Sequence, residues 1–168
     1  WHMPQSKRSG FEEYKSQHIP NCVFFDLDEN SKKNTHLPHM LVEKEDWEKI
    51  VSKMGIENKD EIIIYDNSDV ISSCRCWFNF IYFGHNPKLV HILNGGFTKW
   101  VKEKRKITTD IPQIKFTNYK SYEKKNLVKN KSFIDLNIET KKFKVIDARS
   151  KERFEGKIPE PRAGLRSG

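Results

Sequence analysis

A chain of 168 residues suits one domain of ordinary size, or one domain and part of a second. With 36% hydrophobic and 12% aromatic residues it can fill a core, while 32% charged residues and a net charge of +8 give a lysine-rich surface. The lysines are scattered, which fits a solvated face first and attraction for small anions second; charge alone suggests nucleic acid as a distant third, and no nucleic-acid partner is expected.

Three cysteines, Cys22, Cys74 and Cys76, make neither an even disulfide set nor a CxxC metal pair. They fit a reducing, cytoplasmic setting, and neither metal nor cofactor is expected. The longest apolar stretch, 77–83, falls far short of the roughly 20 residues that cross a bilayer, so no membrane partner is expected. No signal peptide opens the chain, and Trp1 at one end and Gly168 at the other read as the limits of a fragment.

In chain order, Phe11 to Lys15 read as a short helix that Pro20 ends. Val23, Phe24 and Phe25 read as a buried strand running into Asp26-Leu27-Asp28. A loop carrying His36 and His39 follows. Trp47, Ile50, Val51 and Met54 recur at helical spacing and Gly55 stops them. Ile62 to Tyr65 read as a strand buried on both faces, ending at an acidic turn that opens at Asp66. Ser72 and Ser73 are candidate caps for a helix whose apolar surface is Trp77, Phe78, Phe80, Ile81 and Phe83, closed by Gly84.

Leu89 to Leu93 read as another strand, Gly95-Gly96 as a tight turn, and Phe97 to Lys104 as a helix packing Trp100 and Val101. Strands alternating with helices predict an α/β domain with a parallel sheet. Residues 111–122 read as a linker, about 123–140 as a helix of mixed charge, and Phe143, Val145 and Ile146 as a strand ending at Asp147-Ala148-Arg149.

These pieces resemble, in order and spacing, the two-domain rhodanese family of sulfurtransferases, in particular members that act on 3-mercaptopyruvate. The carrying stretches are Trp1-His2-Met3-Pro4, Tyr14 with His18-Ile19-Pro20, Phe24-Phe25-Asp26-Leu27-Asp28 and Leu37-Pro38-His39-Met40-Leu41. Further along come Tyr65-Asp66, Phe83-Gly84-His85, Leu93 to Trp100, Asp147-Ala148-Arg149, Arg153 to Gly156 and Pro159-Glu160-Pro161-Arg162. Departures are Asn21-Cys22 where Gly-Ala is usual, Asn94 where Asp is usual, and Ile81 at a position that is often arginine.

The resemblance implies a three-layer α/β/α fold with a parallel sheet, here without its N-terminal strands. Residues 1–110 would be the non-catalytic domain, 111–122 a linker, and 123–168 the start of the catalytic domain. The implied activity moves sulfur from 3-mercaptopyruvate or thiosulfate, a small anionic donor, to a thiol or cyanide acceptor through a cysteine persulfide. Asp66 stands where the nucleophile would be, so the nucleophilic cysteine is expected outside this chain and the fragment is expected to be inactive alone. Arg153 and Arg162 match substrate-binding arginines, whose planar forks suit a carboxylate. Asp28 and His39 match a hydrogen-bonded pair that aids proton movement.

Each residue also has a plainer role: a surface arginine, a turn-closing Asp, a loop His. The alternative function is a non-catalytic, rhodanese-like binding module. Cys74 and Cys76 are expected to pack inside. Family topology also implies a gap in the sheet between Val23 to Phe25 and Ile62 to Tyr65. The chain is expected either to be marginal in stability or to fill that gap with Phe143 to Asp147.

Overall fold

The computed structural model describes residues 1–160, which fall into two compact units, Trp1–Val128 and a second from Lys129 onward. In the first unit, helix α1 (Gly10–Ser16) begins where Ser9 accepts a hydrogen bond from the Glu12 N–H. The spacing of Trp47, Ile50, Val51 and Met54 folds as helix α2 (Lys44–Lys53), which buries Trp47 and Val51 completely. Strand β1 (Ile62–Ile64), helix α3 (Ser73–Tyr82) and strand β2 (Val90–Ile92) form one β-α-β unit whose strands pair in parallel, Ile62 opposite Val90 and Ile64 opposite Ile92. Helix α4 (Gly96–Lys102) follows β2.

The core lies where α2 meets α3. Trp47 stacks on Phe83 with ring centroids 4.8 Å apart and meets Phe80 edge-on at 5.1 Å. Tyr119 closes this cluster from residues 111–122. That stretch, expected to be a linker, is tied to α2: the Tyr119 N–H donates to Ser52 Oγ at 3.0 Å and the Ser121 N–H to Glu48 Oε1 at 2.8 Å. His85 and Tyr119 stack almost parallel and share a 3.0 Å hydrogen bond. Gly84 lets the chain turn out of α3 at φ +85°, and a side chain there would meet the Tyr122 carbonyl oxygen at 2.5 Å.

Several local expectations change. Ile63 is 63% exposed, so β1 is not buried on both faces. Val23 to Phe25 join no strand; together with all of β1, which pairs only with β2 among the described residues, they line a cavity of about 750 Å³ where the gap is expected. Among the described residues the sheet holds β1 and β2 alone. Phe143 to Asp147 form no strand, and Val145 and Ile146 are exposed, so the expected internal replacement does not occur. A strand needs a neighbour to bond, and this segment pairs with none among the described residues. In α4 it is Phe97 that is buried, while Val101 is exposed.

In the second unit, the helix expected over about 123–140 is observed as helix α5 (Lys131–Thr140), preceded by a separate 3₁₀ turn at Lys125–Leu127 that belongs to the first unit. Asn130 makes the break, because its side chain accepts from the Phe133 N–H at 3.1 Å and starts a new helix. Helix α6 (Lys151–Phe154) is a single turn capped by Ser150.

Truncating Trp47 removes the ring that both Phe80 and Phe83 contact. Trp47→Ala should therefore cost about 3–5 kcal/mol, a large share of the roughly 5–15 kcal/mol a domain has. Denaturant unfolding should show the midpoint falling sharply or the cooperative transition disappearing.

Candidate functional site

The end of β1 is the junction from which the site is built. The Asp66 main-chain oxygen accepts from the Phe97 N–H at 2.9 Å, tying β1 to α4, and its Oδ2 accepts from the Ser73 N–H at 2.6 Å. A carboxylate seven residues before the first residue of α3 thus caps it, while Ser72, one of the two expected caps, makes no capping bond and instead donates to Asp66 Oδ2 at 3.5 Å. Gly96 allows the close approach: a Cβ there would meet the Asp66 carbonyl oxygen at 2.8 Å. The loops after β1 and β2 enclose a shallow depression of about 640 Å³, at the strand ends where open α/β sheets hold ligands.

A charged cluster continues from Asn67. Arg8 grips Glu13 with Nε to Oε1 at 2.6 Å and Nη2 to Oε2 at 2.9 Å. Asn67 donates to Glu13 Oε2 at 2.9 Å, and His2 Nε2 lies 3.2 Å from the same oxygen. These bonds, Arg8 foremost, hold the Glu13 carboxyl down at about 2 from an ordinary 4.5.

The loop after Val23 to Phe25 carries the expected proton-handling pair. Asp28 and His39 are brought together, with His39 Nε2 and Asp28 Oδ1 at 2.7 Å. The Trp1 indole N–H also donates to Asp28, at 3.0 and 3.1 Å from its two oxygens. Arg75 donates to the His39 carbonyl oxygen, and burial pushes the Arg75 guanidinium down from its ordinary value. Sequence reasoning passed over both roles, since Trp1 and Arg75 lie 27 and 36 positions from their partners and no local pattern marks them.

The thiols are placed differently from one another. Cys76 is buried, and desolvation pushes it up to about 12. Cys22 is half-buried, raised in the same direction, with its Sγ 3.1 Å from the Tyr65 hydroxyl. Cys74 is exposed, so only Cys76 of that pair packs inside.

In the second unit Arg153 is engaged: its guanidinium pairs with Glu160, and Arg149 reaches the same carboxylate at 2.7 Å while also bonding Asp147. Those two arginines, Arg153 first, hold Glu160 below the ordinary carboxylate range. Arg162 lies outside the described residues. Among the described residues no group of His, Cys, Asp and Glu is arranged to hold a metal, and no helix is long and apolar enough to cross a membrane.

Comparison with known proteins decides the family. The Rhodanese-like domain family matches residues 8–103. The chain belongs to the rhodanese family. Its whole length is 35% identical to thiosulfate/3-mercaptopyruvate sulfurtransferase 1, mitochondrial, of Arabidopsis thaliana, covering 49% of that protein. It is 31% identical to human 3-mercaptopyruvate sulfurtransferase, covering 57% of it. The chain spans about half the length of the curated relatives it matches. Among solved structures, SseA of Escherichia coli, described as a 3-mercaptopyruvate sulfotransferase with the rhodanese fold, superposes with a TM-score of 0.84 at 27% identity, over 96% of this chain and 61% of that one. Tum1 of Saccharomyces cerevisiae superposes over the whole chain with a TM-score of 0.82 at 28% identity. The α/β architecture of this chain is therefore the rhodanese fold.

The Glu13 cluster makes a pH prediction. A carboxyl lowered on folding contributes stability that is full above its unfolded value and is lost as pH falls through its folded value. Stability should therefore drop between about pH 4.5 and about pH 2, and Glu13→Gln should remove that part of the acid slope in pH-dependent denaturant melts. Because Glu13 is partly exposed, the loss at neutral pH should be small, about 1 kcal/mol.

Proposed function

We propose that this rhodanese chain works in sulfur transfer from 3-mercaptopyruvate or thiosulfate to a thiol or cyanide acceptor, as the non-nucleophilic part of the protein, in a reducing, cytoplasmic setting. The observation that carries this reading is Asp66. At the turn directly after β1, where the family resemblance puts a nucleophile, this chain has a carboxylate already committed to Ser73 and α3. A carboxylate there repels an anionic donor and offers no sulfur. Burial pushes the Cys22 and Cys76 thiols up, which disfavours the nucleophilic thiolate.

In the proposed reaction a cysteine thiolate outside this chain attacks the donor sulfur. An S–S bond forms as the C–S bond breaks, and the carbon fragment of 3-mercaptopyruvate leaves as pyruvate enolate, which takes up a proton. Asp28 and His39 handle that proton, since an imidazole oriented by a carboxylate suits acid-base work. Arg153 and Arg162 hold the donor's carboxylate. For Arg153 this requires sharing or releasing Glu160, and removing the negative charge at Glu160 frees the fork.

The family resemblance and the relatives' names support the reading, and residues 1–110 then form the non-catalytic domain, with 123–168 opening the catalytic one. A binding module without persulfide chemistry is the competing reading. Adding 3-mercaptopyruvate to the full-length protein separates them: a mass increase of one sulfur on a cysteine other than Cys22, Cys74 and Cys76 is expected. Labelling of one of those three, or of none, overturns the proposal. Arg153→Ala should raise KM for 3-mercaptopyruvate about tenfold or more in steady-state assays, whereas Cys74→Ser should leave turnover unchanged.

A further inference from the structure

The Asp28–His39 pair is held by two residues that the reaction itself does not use. The Trp1 indole N–H is shared between both Asp28 oxygens, 3.0 Å from Oδ1 and 3.1 Å from Oδ2. Its ring also meets the His39 imidazole edge-on, with centroids 4.9 Å apart and planes at 86°. On the other side, Arg75 donates to the His39 carbonyl oxygen. His39 needs that anchor, because its backbone lies at φ +55°, a conformation that side chains with a Cβ rarely adopt. Asp28 is anchored at its main chain, where its N–H donates to Asp26 Oδ1 at 3.0 Å.

We infer that Trp1 and Arg75 are positioning residues that fix the tautomer and direction of His39, Trp1 by orienting the Asp28 carboxylate and Arg75 by pinning the His39 backbone. The inference rests on the acid-base role proposed above for Asp28 and His39. The logic is one of hydrogen-bond capacity. An ionised carboxylate only accepts, so Asp28 keeps the proton of the neutral imidazole on Nε2. Nδ1 is then the nitrogen that takes up or releases a proton. Among the described residues Nδ1 makes no hydrogen bond, which leaves it available.

Asp28 is largely exposed, and an exposed carboxylate with free rotation would hold the ring poorly. The indole donor bridging both oxygens removes that freedom. Phenylalanine at Trp1 keeps the ring contact with His39 and deletes the N–H. Lysine at Arg75 keeps a cation able to reach a carbonyl, and methionine does not.

The test is made on the full-length protein, with ¹⁵N-resolved NMR of the histidine rings for tautomer and steady-state kinetics for turnover. Trp1→Phe should shift His39 from the Nε2–H form toward a mixture. It should also lower kcat about tenfold to a hundredfold with KM within twofold, the pattern of misplaced chemistry with intact binding. Arg75→Met should behave likewise and Arg75→Lys should recover most of the loss. Should Trp1→Phe fail to fold, the Arg75 pair carries the same test.

An unchanged His39 tautomer in both Trp1→Phe and Arg75→Met overturns the inference. A changed tautomer with unchanged kcat upholds the positioning and overturns the acid-base role assigned to the pair, so the two failures are distinguishable.

Discussion

The Asp66 junction is the constraint on which the arrangement of the first unit depends. One residue accepts the first free N–H of α3 through its side chain and an N–H of α4 through its main chain, so strand, following helix and next helix are set against one another at a single point. Removing water from a helix N-terminus leaves unpaired donors with a partial positive charge, and a carboxylate is the group that satisfies both needs. A residue that ends β1 in this way has its side chain and its main-chain oxygen both committed to the helices that follow.

Around that junction, the helices contribute through their aromatic faces. Trp47 lies between Phe80 and Phe83, and Tyr119 covers the cluster, so α2, α3 and the segment 117–122 share one apolar centre. The β1 edge next to Val23 to Phe25 has no comparable cover. Ile63 is turned to solvent and the cavity beside it is wide, while Ile62, Ile64 and Val90 pack against the aromatic cluster, so a two-stranded sheet is held here by the helices it packs on.

The sequence was most readable where one short window carries the physics. Trp47 to Met54 show a helical period, Ile62 to Ile64 are β-branched, and Gly55, Gly84 and Gly95 sit where positive φ is required. The pairing of Asp28 with His39 followed from the family resemblance, and its geometry is found at 2.7 Å. What could not be read depends on distant partners. Val23 to Phe25 and Phe143 to Ile146 have strand composition, yet a strand exists only with a neighbour to bond, and composition does not supply one. Likewise Ser72 has the chemistry of a cap, but Asp66 outcompetes it because a charged acceptor bonds an N–H more strongly than a hydroxyl does. The Trp1 and Arg75 contacts join residues far apart in the chain and leave no trace in any window.

Charge is divided between the units in a way the net value of +8 hides. In the first, the Glu13 carboxylate is partnered by Arg8, Asn67 and His2, and that of Asp28 by Trp1 and His39. In the second, Arg149 and Arg153 converge on the nearly buried Glu160. Two guanidinium groups that share one carboxylate keep it ionised and are themselves oriented by it.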